Sequence, residues 1–158
     1  ELLKLQKLQF LRDETTSIEW QRPYKEAQKI VYKRGGEVLG FLEIKKLDGG
    51  IFEAKDIESY EKGIGRLLVY DAMSRIYPNF LLVDRKVVTS RGERLWRAFE
   101  NVPYVQTETA PKHLRVHSNG VNGGINTMHR FTWTEKRERI ESEKLQLLIT
   151  NDQTNEAS

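Results

Sequence analysis

The chain has 158 residues, 38% hydrophobic and 31% charged, which is enough apolar material for one packed domain and too little length for two. Its formal charge of +3 is spread over interspersed acids and bases; that balance suits an anionic ligand of nucleotide size and falls short of a nucleic-acid footprint. The lack of cysteine excludes thiol nucleophiles, disulfides and Cys-ligated zinc, and no run of residues has the apolar length of a membrane span. Lys4 and Lys7 interrupt the first leucines, so the start lacks the apolar core of a signal peptide. The expectation is a soluble, cytoplasmic protein; a start at Glu1 rather than methionine is compatible with processing or trimming.

In chain order, Leu2, Leu5 and Leu8 recur every three residues and predict a short amphipathic helix over 1–11. Residues 12–28 are polar and mixed; Trp20 and Pro23-Tyr24 read as an ordered loop. Ile30-Val31-Tyr32 is β-rich, Gly35-Gly36 reads as a tight turn, and Val38–Ile44 alternates as a strand. Asp48-Gly49-Gly50 is a second turn and Ile51–Ile57 a third strand, giving an antiparallel meander. The period then changes. Ile64, Leu68, Ala72 and Ile76, with Leu67 and Met73 beside them, predict a helix over 63–77 with one apolar face, stopped by Pro78. Phe80-Leu81-Leu82-Val83 reads as a strand buried on both faces. Ser90–Val102 reads as a second helix, capped by Ser90, with Leu95, Phe99 and Val102 on one side. Tyr104–Thr109 and Arg130–Thr134 read as late strands around a flexible loop that carries Asn119-Gly120 and Gly123-Gly124. Residues 1–134 thus form a single domain, followed by a charged helix over 135–149 and a disordered polar tail over 150–158.

Gly63-Ile64-Gly65 is the feature with chemistry. It follows a strand and opens a helix, where outward backbone N–H groups and the positive end of the helix dipole attract phosphate, and glycine admits close approach. Lys62 and Arg66 flank it and offer charge-assisted contacts of about 1.5–3 kcal/mol each. No third glycine stands at Leu68 for a dinucleotide fingerprint, and no Gly-Lys-Ser/Thr follows for a P-loop. Taken alone, the turn reads equally as a plain strand-to-helix connection.

Its setting adds a family resemblance. A meander, then Gly63-x-Gly65, then helix, strand, helix and two last strands resembles the GNAT superfamily of acyl-CoA N-acyltransferases over roughly residues 30–134. The resemblance implies an α/β fold with a mixed, mostly antiparallel sheet flanked by helices. It also implies acetyl transfer from acetyl-CoA to an amine. The family loop, Gln/Arg-x-x-Gly-x-Gly/Ala, reads here Tyr60-Glu61-Lys62-Gly63-Ile64-Gly65. By this likeness the amides of Glu61, Lys62, Gly63, Ile64, Gly65 and Arg66 hold the pyrophosphate of coenzyme A, and the strand end at Ile57 and Glu58 runs beside the pantetheine arm. The reaction needs a base for the amine and a donor for the thiolate. Asp56 and Glu58 are the candidate bases; strand alternation sets them on one face and Glu53 on the other. Each also reads as a solvated strand carboxylate.

Two positions depart from the family. Tyr60 stands where the loop has Gln or Arg. Trp96 stands where the motif Asn-x-x-Ala-x-x-Leu-Tyr, matched by Thr89–Trp96, has its acid tyrosine, and an indole N–H is no acid at these pH values. Tyr104 is the substitute acid, with an ordinary strand aromatic as its other reading. The departures imply an alternative: a catalytically inactive protein of the same fold that binds a macromolecule, protein or nucleic acid. Arg91, Arg94 and Arg97, near Arg85 and Lys86, form a helix patch that reads as a solvated face or as a site for an anionic partner, whether cofactor phosphates, nucleic acid or acidic protein. The terminal charged helix reads as a docking or oligomerisation element. The stretch from Leu82 to Trp96 also resembles acetyltransferase-fold proteins of bacteriophages. His113 and His117, four apart, lack a carboxylate to complete a metal site, and Ser90 lacks His and Asp partners for a triad.

Overall fold

The computed structural model describes residues 2–83, 90–102, 104–115 and 126–132. The predicted first helix is α1 (Leu2–Arg12). After it comes β1 (Thr16–Gln21), in the stretch that reads from sequence as a polar loop. It is an edge strand paired antiparallel with β2 alone, so one covered face suffices; only Ile18 and Trp20 carry the apolar alternation, and two residues are too weak a signal. The meander β2 (Ala27–Arg34), β3 (Glu37–Lys46) and β4 (Ile51–Ser59) follows as expected, with each strand longer than its apolar centre. Gly35 and Gly36, at φ 57° and 84°, supply the positive φ that the first hairpin requires.

Then come α2 (Ile64–Ile76), β5 (Phe80–Leu82), α3 (Ser90–Glu100), β6 (Val105–Thr109), a 3-10 turn at Lys112–Leu114 and β7 (Thr127–Phe131). The last strand starts earlier than the sequence suggests because its first half, Thr127-Met128-His129, is only weakly apolar. The seven described strands form one sheet in the order β1-β2-β3-β4-β5-β7-β6, in which only β4 and β5 are parallel. This mixed, mostly antiparallel sheet with its helices is the acyl-CoA N-acyltransferase architecture that the resemblance implied.

The three described helices lie on one face of the sheet. Phe10 of α1 stacks on Tyr32 of β2 at 4.8 Å, and the Tyr32 hydroxyl donates to Asp71 of α2. Tyr70 of α2 packs on Phe131 at 5.2 Å and Trp96 of α3 on His129 at 5.4 Å, two β7 residues that alternation puts on the same side. The main core lies between these layers, and a smaller one (Ile51, Leu82, Ala110, Leu114, Met128) sits under the 3-10 turn on the other face. The expected single apolar face of α2 is too narrow a description. Val69, Tyr70 and Asp71 are buried as well, because α1 covers the side that would otherwise be wet. Asp71 pairs there with Lys7. Burial pushes its carboxyl above the usual range, opposed by Lys7 and Tyr32, while burial and the Asp71 charge hold the Tyr32 phenol protonated.

Among the described residues no helix is long and apolar enough to cross a membrane. The glycine-bearing loop, the charged helix and the tail predicted from sequence lie outside the described residues, as do Arg85, Lys86, His117 and Trp133.

One glycine sets the distance between α2 and the sheet. A Cβ on Gly40 of β3 would stand 2.7 Å from the Glu58 carbonyl oxygen, 2.9 Å from Ile64 Cγ2 and 3.3 Å from Leu68 Cδ1. The first of these is backbone and cannot swing aside. Gly40→Ala is therefore expected to cost about 1–3 kcal/mol of stability; urea denaturation against the parent checks this, and an unchanged midpoint would contradict the packing described.

Candidate functional site

β5 pairs with β4 only through Ile51, Phe52 and Glu53. Beyond that point β4 runs on to Ser59, and among the described residues no strand pairs with that edge. A bulge lies just beyond the paired stretch: Glu43 faces Asp56 while Ile44 faces Ala54, leaving Lys55 as the extra residue. The bulge corrects the alternation read from sequence. Because one residue is inserted, Glu53 shares the face of Asp56 and Glu58, opposite the helices, instead of standing across from them. It is buried there, whereas Asp56 and Glu58 are exposed.

The β4–α2 turn is pinned from several sides. The Tyr60 N–H donates to the Leu39 carbonyl at 2.8 Å, the Ser59 hydroxyl to the Glu61 carbonyl at 3.0 Å, and the Ile64 N–H to the same carbonyl at 3.3 Å. Arg34 of β2 pairs with the Glu61 carboxylate at 3.1 Å, and that bond raises the guanidinium pKa further. Gly63 caps α2 in the left-handed region, φ 89° and ψ −18°, and no side chain bonds to the helix start. The first-turn N–H groups of Gly65 and Arg66 therefore have no intrahelical acceptor, and the positive end of the dipole is uncovered.

A cleft of about 510 Å³ opens between this turn, the end of β4 and α3. Ile57, Glu58, Lys62, Gly63, Gly65 and Arg66, all expected from sequence, line it. Two other expected residues direct their side chains elsewhere: Glu61 to Arg34, and Ile64 into the core. Ser59, Gly92, Arg94 and Leu95 complete the walls. Of the helix patch expected from Arg91, Arg94 and Arg97, Arg94 lines the cleft and Arg97 is exposed beyond it, while the Arg91 and Ser90 side chains lie outside what is described. Gly92 carries a signal in the sequence, since glycine inside a helix costs about 1 kcal/mol and asks for a reason. Leu95 carries none; it packs against Gly65, 3.7 Å from where a Cβ on Gly65 would stand.

Of the candidate catalytic residues, Glu58 is at the cleft. Asp56 is exposed on the same sheet face and does not line it. Tyr104 is not among the lining residues either; its ring tilts onto Phe131 at 5.8 Å. Trp96 is buried, 5% exposed, and lies flat on His129 with 6° between the rings. His129 is fully buried, with Nδ1 2.9 Å from Thr107 Oγ1 and Nε2 3.3 Å from Thr127 Oγ1. Both hydroxyls can donate or accept, so a neutral ring is satisfied in either tautomer. His113 is exposed on the 3-10 turn, and among the described residues no three potential ligands gather to hold a metal.

No family model matches the chain, and no curated protein sequence does. Solved structures do. An acetyltransferase from Bacillus subtilis in complex with CoA is 13% identical, with a TM-score of 0.51, over 73% of this chain and 98% of that one. An IAA acetyltransferase from Bacillus cereus is 17% identical, with a TM-score of 0.45, over 73% and 99%. A GNAT family acetyltransferase from Elizabethkingia anophelis with acetyl-CoA bound is 13% identical, with a TM-score of 0.45, over 75% and 99%. The Bacillus subtilis likeness supports the fold.

His129 behind Trp96 also makes stability depend on pH. Burial pushes its pKa down to about 4, against about 6.5 in an unfolded chain. A depressed folded pKa means the stability is complete above pH 6.5 and is lost as pH falls toward 4, by roughly 3 kcal/mol from this group. Urea denaturation at pH 7 and pH 4.5 should show this loss, and His129→Gln should flatten it; an equal slope in both proteins would contradict the assignment.

Proposed function

We propose that the protein is an N-acetyltransferase that moves the acetyl group of acetyl-CoA to an amine acceptor. The observation that carries this reading is the meeting, in one cleft, of a glycine turn with no side-chain cap and a stretch of β4 that no described strand pairs beyond Glu53. The turn supplies backbone N–H groups, the helix dipole, Lys62 and Arg66 for a pyrophosphate. The edge of β4 near Ile57 and Glu58, which no described strand pairs beyond Glu53, offers N–H and C=O groups to an extended amide chain, as an added strand would use them, and the pantetheine arm has that form. When bound, acetyl-CoA supplies an acyl group already activated as a thioester.

The chain's own residues then bind, orient and move protons. Glu58, at the cleft and exposed, takes a proton from the acceptor ammonium so that a neutral amine can attack. Among the described residues no tyrosine lines the cleft, so the departing sulfur takes its proton from water or from the acceptor nitrogen. A second reading rests on that same fact: with Trp96 buried against His129 and Tyr60 63% exposed at the loop, the site holds acetyl-CoA without turning it over, and the protein acts by binding a partner.

Isothermal titration separates these readings when paired with an acetyl-transfer assay over a panel of amines. Saturable binding of acetyl-CoA is expected, weakened about tenfold or more by Gly65→Leu, whose side chain would fill the space before Leu95. Glu58→Gln should leave that affinity in place and lower transfer about a hundredfold or more. Absence of any binding at near-millimolar acetyl-CoA would overturn the proposal; binding without transfer to any amine would favour the second reading.

A further inference from the structure

Among the described residues three cations line the cleft, and they come from two different elements. Lys62 and Arg66 belong to the turn and the first turn of α2, beside the glycine amides. Arg94 belongs to α3, next to Leu95, whose side chain packs against Gly65. Among the described residues none of the three has an acidic partner, so their charge is available to a ligand. Gly92 and Leu95, three apart on α3, form one face toward the cleft, and Arg94 stands about a quarter turn round from Leu95, exposed.

A charge count distinguishes their tasks. A pyrophosphate diester carries two negative charges, and the turn meets them with two cations, free N–H groups and a helix dipole. A third cation, supplied by a different helix, corresponds to a third anionic group beyond these two. Coenzyme A carries one, a phosphate monoester on the ribose 3′ oxygen, close to doubly charged at neutral pH. A guanidinium can hold two of its oxygens at once. We infer that Arg94 recognises the 3′-phosphate of coenzyme A and makes the site discriminate against its 3′-dephospho form. The inference rests on the acetyl-CoA reading above. It gives Arg94 a role separate from Arg97, a residue of the same helix that does not line the cleft.

The test compares two nucleotides across three proteins by isothermal titration at fixed ionic strength: coenzyme A and 3′-dephospho-CoA against the parent, Arg94→Gln and Arg97→Gln. The parent is expected to bind coenzyme A about tenfold more tightly than the dephospho form. Arg94→Gln should bring that ratio close to one while leaving affinity for the dephospho form unchanged, and Arg97→Gln should keep the ratio. The ratio is read within each protein, so a partly unfolded preparation does not imitate the result. Equal affinity of the parent for both nucleotides, or a preference that persists in Arg94→Gln, would overturn the inference and leave coenzyme A binding in place. No binding of either nucleotide to the parent would overturn both.

Discussion

The close approach of α2 to the sheet at Gly40 is the constraint on which the candidate site depends. The Glu58 carbonyl, Ile64 and Leu68 all crowd the space where a Cβ would be, so β3, β4 and the start of α2 meet at that point. Ser59 is the residue paired with Gly40, and the Tyr60 N–H is bonded to the neighbouring Leu39. The end of β4 and the beginning of α2 are thereby fixed to the same few atoms of β3. The glycine turn between them has little freedom left, and its N–H groups are presented in one direction. Preorganisation of this kind lets backbone groups bind an anion without first being ordered.

The second element of the site is a difference in strand length. β5 pairs with β4 over three residues, β4 runs on to Ser59, and the bulge at Lys55 lies just beyond the paired stretch. Among the described residues no strand pairs with the β4 edge past that point, and α3 lines the same cleft. Groups that can hold an anion and groups that can move a proton are unequally represented in this arrangement. Backbone donors, a strand edge and three cations line the cleft, whereas among the described residues Glu58 is the one carboxylate lining it. Trp96, at the place of the tyrosine in the motif that the sequence resembles, packs against His129.

The polar groups of the core are placed where helices must be oriented. Lys7 and Tyr32 both engage Asp71, tying α1 to α2 and to β2. Such buried charge adds little net stability, since desolvation offsets much of the attraction; a group in this position registers the helix against its neighbours. Two threonine hydroxyls do the equivalent for His129 between β6 and β7.

Much of the order of elements is legible in local patterns. Paired glycines with positive φ mark the hairpins, the change from period two to period four marks α2, and Gly63-x-Gly65 marks the turn that opens it, because each depends on a few consecutive residues. The elements that escape lack such a pattern. β1 is an edge strand with two apolar residues, and the bulge at Lys55 leaves no trace in the alternation, so simple alternation puts Glu53 on the wrong face. What only the tertiary structure decided is who meets whom: that Gly40 is needed at an approach between segments distant in sequence, that Leu95 closes on Gly65, that Arg94 lines the cleft, and that Trp96 is buried. These are long-range contacts, set by how the helices pack on the sheet, and no local periodicity encodes them. The glycine turn could be read from three residues; the cleft around it required β4, α2 and α3 to be brought together.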